Sequence, residues 1–186
     1  HTISQALIVP FAEKYPDLSI LHVDAHSDLR KDYLGHQFSH ASVMARVCEY
    51  LDPSRIVQIG IRAQCVEEAE FIKENGITTL YAHEIRAGKY RKIVKGWDDF
   101  AIEKLSDNVY VTFDVDGFDP SIMPATGTPE PNGLLWHETM TLLRKLGKTK
   151  NLVGCDVVEL ATIAGLHHPD LTAAKLVSKM INYFVR

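Results

Sequence analysis

The stretch LHVDAHSDLR, residues 21–30, places three ligand-type side chains at alternate positions directly after an apolar run. The residues that lead into it, 18–24, predict a buried strand, because a short apolar run bounded by turn signals is typical of one. Side chains alternate across an extended strand, so Asp24, His26 and Asp28 are expected on one side of its end. The strand therefore carries candidate metal ligands out of the core.

Strand-like and helix-like segments alternate along the rest of the chain. Further strands are predicted at residues 55–61, 77–82, 109–116 and 151–160. Helices are predicted at residues 2–15, 39–51, 66–76, 90–105, 134–147 and 170–185, with Pro10 starting or kinking the first. This order predicts an α/β fold with three αβα layers and a mostly parallel sheet. In such sheets ligands bind beyond the carboxyl ends of the strands.

Length, composition and charge favour one ordinary globular domain. The chain has 186 residues, of which 46% are hydrophobic, so we expect a single domain over residues 1–186. The net charge of -4 arises from interspersed acids and bases, which favours neither nucleic acid nor an anionic membrane as a partner. The basic run at residues 86–95 is the exception, and a solvated face is a better interpretation of it than an interaction surface.

The cysteines and the hydropathy indicate the compartment. Cys48, Cys65 and Cys155 are odd in number and widely spaced, so neither a disulfide framework nor a CxxC metal site is expected. No apolar run approaches the roughly 18 residues that span a bilayer, and the first residues do not resemble a secretion signal. We therefore expect a cytoplasmic protein without a membrane partner.

A second acidic pair follows another predicted strand. Asp114 and Asp116 lie in TFDVDGFDP, residues 112–120, so five candidate ligands meet at one edge of the sheet. Four of the five are carboxylates, whose repulsion would raise their pKa values unless a cation neutralised them. A single Asp at a strand end is usually a turn or helix cap, but DxHxD and DxD together favour a metal site. Two divalent ions would balance the four carboxylates.

The ligand types indicate the metal and the reaction. Carboxylates with some imidazole favour Mn²⁺, with Mg²⁺, Zn²⁺ and Fe²⁺ as alternatives. A pair of such ions activates water as a nucleophile near neutral pH, so hydrolysis is the expected chemistry. The sequence contains neither GxGxxG nor GxxxxGK(S/T), and none of its cysteines lies in a recognisable Cys/His context.

Several segments resemble the ureohydrolase family, the manganese enzymes that include arginase, agmatinase, guanidinobutyrase and formimidoylglutamase. The segments are VDAHSDLR, SHASVMARV, FDVDGFDPSIMPATGTPEPNGL, GCDVVEL and PDLTAAKL, which lie between residues 23 and 176. The resemblance implies an arginase-like fold and hydrolysis of a guanidino compound. The first two residues, HT, are similar to the end of the family's Gly-Gly-acid-His-Ser/Thr motif, which implies a fragment that lacks the family's N-terminal segment. Judged alone, His1 would be an ordinary chain end.

The same resemblance implies six ligands for two Mn²⁺ ions. One ion would be bound by His1, Asp24, Asp28 and Asp114. The other would be bound by Asp24, His26, Asp114 and Asp116. Asp24 and Asp114 would then bridge the two ions.

Two further residues match the family's catalytic positions. His40 in SHAS aligns with a loop histidine that carries a proton to the leaving amine, a role that suits an imidazole. His36 is the alternative, and a surface residue at a helix start is the plain interpretation of His40. Glu159 in DVVEL matches the carboxylate that binds the substrate guanidinium, although a strand-end acid bound to a backbone amide would also explain it. His22 is expected to be a satisfied core histidine.

The resemblance also bears on the substrate. Arginases carry a Ser-Gly-Asn-x-His-Gly loop for the amino acid head group, where this chain has GHQFSHAS at residues 35–42. Without those groups the α-carboxylate and α-amine of arginine lack partners. SHASVMARV and ATGTPEPNGL look more like agmatinase sequences, so agmatine, hydrolysed to putrescine and urea in polyamine biosynthesis, is the expected substrate. Trp136 and Glu130 are candidates for binding its far amine, with loop packing as the alternative.

Other functions stay open at this point. Arginase, guanidinobutyrase or another ureohydrolase activity is one alternative, and a non-catalytic metal-binding domain is another. A deacetylase-like amidohydrolase is disfavoured, because HSDLR lacks the Gly-rich continuation expected there. The resemblance further implies a homo-oligomer, either a trimer or a hexamer.

Overall fold

Five parallel strands form one sheet in the computed structural model, which describes residues 1–92 and 96–185. The strands are β1 (Ser19–Val23), β2 (Ile56–Ile61), β3 (Thr78–Tyr81), β4 (Asn108–Asp114) and β5 (Asn151–Val158). Their order across the sheet is β3-β2-β1-β4-β5, and every neighbouring pair is parallel. The predicted parallel sheet is confirmed, and the carboxyl ends of its strands share one edge.

Seven α-helices accompany the strands within the described residues. They are α1 (Ser4–Lys14), α2 (Val43–Val47), α3 (Val66–Glu74), α4 (Ala82–Arg86), α5 (Trp97–Glu103), α6 (Trp136–Thr149) and α7 (His168–Phe184). α1 begins at Ser4, so Pro10 lies inside it and does not start it. The helix predicted for residues 39–51 is divided, because a 3₁₀ turn at His40–Ser42 precedes α2.

Part of one prediction falls beyond what the structure describes. The helix predicted for residues 90–105 corresponds to α5 and to the end of a 3₁₀ turn at Lys89–Lys92. Residues 93–95, which also belong to the basic run, lie outside the described residues. In the described part of the chain, no helix is long and apolar enough to cross a bilayer.

The helices cover both faces of the sheet. On one face, side chains from α1, α2 and α3 form a core with Ile20 of β1. On the other face, side chains from α4, α5, α6 and α7 form a core with Leu21 and Val23 of the same strand. β1 is therefore buried on both sides, and all five of its residues are buried, including the polar Ser19 and His22. The predicted three-layer αβα architecture is confirmed.

The long loop between β4 and α6 closes on itself. Leu134 N donates to Gly117 O at 3.0 Å, and Asp119 N donates to Leu134 O at 2.9 Å, so the two ends of the loop run side by side. Gly133 permits this approach, because a Cβ atom there would lie 2.5 Å from the backbone of Phe118. The loop is thus tied to the end of β4, where the second acidic pair lies.

Candidate metal centre

The carboxyl ends of β1 and β4 bring the two acidic motifs together. The strands are neighbours, with Val23 opposite Phe113, so Asp24 and Asp114 follow paired positions. All four aspartates of the motifs, Asp24, Asp28, Asp114 and Asp116, are at most 5% exposed. Burying this many carboxylates is unfavourable unless positive charge compensates them.

The imidazole of His1 lies among three of these carboxylates. Its Nδ1 is 3.0 Å from Asp24 Oδ2, 3.0 Å from Asp28 Oδ2 and 3.3 Å from Asp114 Oδ2. The four residues predicted for the first ion therefore surround a single point. His1 itself is buried, unlike an ordinary chain end.

Hydrogen bonds on the far side of the ring decide which nitrogen of His1 carries the proton. Thr112 Oγ1 donates its only proton to Asp156 Oδ1 at 2.7 Å, so it accepts from His1 Nε2 at 2.9 Å. In the neutral ring Nδ1 then keeps a lone pair, and within the described residues this buried atom has no hydrogen-bond partner. A lone pair that faces three carboxylate oxygens is repelled by them, whereas a cation is attracted by all of these atoms, and His1, Asp24 and Asp28 belong to a group whose ligand atoms lie close enough together to hold one. The His1 group therefore fits a divalent ion.

In the absence of an ion, a proton satisfies the same demand for positive charge. Burial lowers the pKa of His1, but its interactions with the carboxylates of Asp114, Asp24 and Asp28 outweigh burial and hold the pKa well above its usual range. Metal binding would release this proton.

A second group of ligands lies beside the first. His26 Nδ1 is 3.1 Å from Asp116 Oδ2 and 3.5 Å from Asp24 Oδ1. Burial lowers the pKa of His26, but Asp116 and Asp24 raise it to about 11 overall. Asp24 thus belongs to both groups, as the bridging prediction requires. Asp114 contacts His1 of the first group, and its Oδ1 accepts a hydrogen bond from the backbone N of Asp116 at 2.9 Å. That Asp114 also bridges to the second ion stays a prediction.

The four carboxylates oppose one another's ionisation. Burial opposes ionisation of Asp24, yet its interactions with His22, His1 and His26 hold its pKa well below the usual range. For the other three aspartates, burial and then the charge of Asp24 raise the pKa. The charge of Asp24 therefore opposes ionisation of its neighbours, and a bound cation would relieve this repulsion.

His22 has a role that the sequence interpretation missed. It is fully buried, as predicted for a core histidine, but its Nε2 also lies 2.8 Å from Asp24 Oδ2. It lies in the same cluster as His1, Asp24 and Asp28. The available signal was its position two residues before Asp24, on the same face of β1.

Glu159 lies at the margin of the His1 group. It follows β5, and its Oε1 contacts the backbone nitrogen of His1. Its side chain is 34% exposed, so it can also meet a ligand from solvent. Glu159 has φ 65° and Asp28 has φ 54°, both in the left-handed region that non-glycine residues adopt at a cost of about 1–3 kcal/mol. Strained backbone of this kind is concentrated at functional sites.

Three other candidate site residues lie away from these groups. His40 and His36 are exposed, and the described contact of His40 is with the ring of Tyr33, 5.5 Å between centroids. Trp136 is half-buried and stacks on Phe118 at 5.9 Å. It also lines a hollow of about 420 Å³ with Ile122, His168, Leu171, Thr172 and Lys175. Among the described residues, no contact joins these side chains to the metal-ligand groups.

Arg62 is a second residue that the sequence interpretation missed. It directly follows β2, and its guanidinium donates hydrogen bonds to the backbone carbonyls of Asp116, a member of the second ligand group, and of a residue in the long loop. The second of these carbonyls belongs to Glu130, so the backbone of Glu130, and not its carboxylate, binds Arg62. Carbonyl groups are present in every residue, and for this reason no sequence motif pointed to Arg62.

Comparison with known proteins identifies relatives along nearly the whole chain. A sequence profile of the Arginase family matches residues 1–182. An N(1)-aminopropylagmatine ureohydrolase of Synechocystis is 39% identical over 167 residues, which are 89% of this chain and 52% of that protein. An agmatinase of Bacillus cereus is 35% identical and aligns with 100% of this chain and 62% of its own length. The chain thus spans about half to three fifths of the length of these relatives.

Solved structures give the same result for the fold. A putative agmatinase from Clostridium difficile superposes with a TM-score of 0.86 at 28% identity, covering 99% of this chain and 64% of that one. A proclavaminate amidino hydrolase from Streptomyces clavuligerus has the same TM-score at 30% identity, covering 99% of this chain and 62% of that one.

Proposed function

Because the chain belongs to the arginase family, we propose that it provides the metal-binding and guanidinium-binding residues of a ureohydrolase. The observation that carries the proposal is the unpartnered Nδ1 of His1, which faces three buried carboxylate oxygens at 3.0–3.3 Å. Arginase-family enzymes are metalloenzymes, and this donor set suits Mn²⁺.

Six side chains would hold two Mn²⁺ ions. His1, Asp24, Asp28 and Asp114 would bind one ion, and Asp24, His26, Asp114 and Asp116 the other. When bound, the pair of ions supplies a nucleophile from water near neutral pH. The protein contributes carboxylates that are already buried and close together before an ion binds.

Glu159 would orient the substrate. A carboxylate accepts two parallel hydrogen bonds from a planar guanidinium. Glu159 lies beside His1, and its side chain is exposed enough to bind a guanidinium group that enters from solvent. Its strained backbone would aim the side chain toward the site instead of along β5. His40 would donate a proton to the leaving amine, so that water and the guanidinium yield urea and the free amine.

Agmatine is the proposed substrate, cleaved to putrescine and urea. The agmatinase relative and the departure from the arginase head-group loop at residues 35–42 support it. The Synechocystis relative makes N(1)-aminopropylagmatine the main rival, since the two compounds share a guanidinium and differ at the far end. Trp136 and Glu130 stay candidates for binding that end.

Three further predictions remain proposals. One sheet with a core on each face supports a single catalytic domain over residues 1–186. Assembly into a homotrimer or homohexamer follows from the family resemblance. A cytoplasmic location is consistent with three free cysteines.

Urea release tests the proposed reaction. The chain, loaded with Mn²⁺, would be incubated with agmatine, N(1)-aminopropylagmatine, arginine and guanidinobutyrate in parallel. We expect urea from agmatine at the highest kcat/KM. Tight binding of two ions without urea from any of the four would instead favour a non-catalytic metal-binding domain.

A further inference from the structure

The guanidinium of Arg62 is a point where several backbone carbonyls converge. Its Nη2 donates to Asp116 O at 2.8 Å, to Glu130 O at 2.7 Å and to Phe118 O at 3.2 Å. Its Nε and Nη1 donate to the remaining carbonyls, which are Pro131 O (3.0 Å), Gly60 O (3.1 Å) and Gly117 O (3.5 Å). These six carbonyls come from the end of β2, the turn after β4 and the long loop.

This convergence requires a cation with the shape of arginine. Carbonyl oxygens that point at one another are partial negative charges, and they repel unless donors lie between them. Arg62 supplies five donors in a planar fork, whereas a lysine supplies three from one nitrogen. Among residues 1–92 and 96–185, no carboxylate forms an ion pair with Arg62, so its bonds serve the backbone alone.

The backbone that Arg62 holds carries one particular ligand. The carbonyl of Asp116 bonds to Arg62, while Asp116 Oδ1 accepts from Ala25 N at 3.0 Å and Oδ2 accepts from Thr128 Oγ1 at 3.2 Å. The backbone N of Arg62 in turn donates to Ala25 O at 2.8 Å. Arg62 thus connects to both segments that flank the pair formed by His26 and Asp116.

The His1 group is held by different residues. Thr112 bonds to His1 Nε2, and His22 bonds to Asp24 Oδ2. The backbone carbonyl of Asp28 accepts a hydrogen bond from Met44 N, at the start of α2, at 2.9 Å. Within the described residues, none of these contacts passes through Arg62.

We propose that Arg62 is a positioning residue for one of the two ions, the ion whose proposed ligands include His26 and Asp116. The ion at His1 does not depend on it. This inference rests on the proposed dinuclear centre. According to this inference, different residues position the ligands of the two ions, although Asp24 is a ligand of both.

Titration calorimetry with Mn²⁺ on metal-free protein tests the inference without reference to catalysis. The wild type is expected to bind two ions. Arg62→Lys should keep one ion with affinity within about threefold of the wild type and bind the other about 10–100-fold more weakly, the range seen when groups that support metal ligands are lost. Arg55→Lys is the matched control, because Arg55 lies at the opposite end of β2, is partly exposed and also donates to a carbonyl, that of Pro16.

A double variant identifies which ion is affected. His26→Ala removes a ligand of the same ion, so adding Arg62→Lys to it should weaken metal binding no further. Two ions bound as tightly by Arg62→Lys as by the wild type would overturn the inference and leave the dinuclear centre intact. Equal weakening of both ions would overturn the selectivity. A wild type that binds no Mn²⁺ would overturn the proposed function as well.

A milder variant covers the case in which Arg62→Lys does not fold. Thr128→Val removes the hydroxyl that bonds to Asp116 Oδ2 and keeps the side-chain shape. It should weaken the same single ion, with unchanged thermal unfolding of the metal-free protein. Unchanged affinity for both ions in Thr128→Val would contradict the claim that the loop held by Arg62 positions Asp116.

Discussion

His22 donates a hydrogen bond from Nε2 to Asp24 Oδ2 at 2.8 Å, and a neighbouring strand determines that direction. Gln58 Nε2 donates to the carbonyl of Ser27 at 2.8 Å, which identifies that atom as the amide nitrogen, and Thr79 Oγ1 donates to Gln58 Oε1 at 3.1 Å. The same nitrogen lies 3.1 Å from His22 Nδ1, so Nδ1 accepts and Nε2 carries the proton. A chain of bonds from β3 through β2 thus orients the carboxylate shared by both ligand groups.

Replacing His22 with leucine should weaken metal binding and stability together. Asp24 would lose a donor and Gln58 an acceptor in a fully buried place, at a cost of about 1–3 kcal/mol in the free energy of unfolding. Mn²⁺ affinity should fall about 10–100-fold, as when a supporting hydrogen bond to a ligand is lost. Denaturant unfolding and metal titration measure the two effects, with His83→Leu as the exposed control. Unchanged Mn²⁺ affinity in His22→Leu would limit His22 to a packing role.

Asp114→Ala tests the bridging prediction. If Asp114 binds both ions, its removal should abolish both ions and urea release together. Metal analysis of the purified variant gives the stoichiometry directly, and Asp107→Ala, at a side chain that is 93% exposed, serves as the control. Full retention of two ions in Asp114→Ala would show that the bridging assignment is wrong.

Glu159→Gln separates substrate binding from metal binding. The amide keeps the shape but loses the charge that pairs with a guanidinium, a hydrogen bond worth about 1.5–3 kcal/mol, so kcat/KM should fall roughly 10- to 150-fold. The bound Mn²⁺ should stay at the wild-type level, since Glu159 is not among the proposed ligands. Steady-state kinetics and metal analysis check both statements, and loss of an ion would place Glu159 in the metal centre instead.

The sequence could predict the candidate ligands because their pattern is local. Asp24, His26 and Asp28 share one strand end, and Asp114 with Asp116 repeats the arrangement on the strand that pairs with it. Parallel pairing, which the alternation of elements predicts, was then sufficient to bring the two motifs together.

The remaining contributions depend on contacts between distant segments. Arg62 acts on carbonyls up to 69 positions away, and the direction of the His22 bond depends on Gln58 in another strand. Likewise, the helix predicted from residue 39 is divided, because Asp28 O accepts hydrogen bonds from Met44 N and Ala45 N and so sets where α2 begins. Such tertiary bonds leave no periodic or spacing signal in the sequence.

Cys48 provides a pH-dependent test of the packing around α2. Burial raises the pKa of its thiol to about 12, so little thiolate is present at pH 8. Its alkylation rate by iodoacetamide should increase about tenfold per pH unit from pH 8 through pH 10, whereas a thiol with the ordinary pKa of about 8.5 would level off. Mass spectrometry of the Cys48 peptide follows the rate, and a plateau below pH 9.5 would contradict the buried environment.

The most direct test of the dinuclear centre is anomalous diffraction at the manganese edge from crystals of the Mn²⁺-loaded protein. The account predicts two peaks about 3.5–4 Å apart, one bound to His1 Nδ1 and the other to His26 Nδ1, with Asp24 between them. A single peak, or peaks away from these two nitrogens, would contradict it.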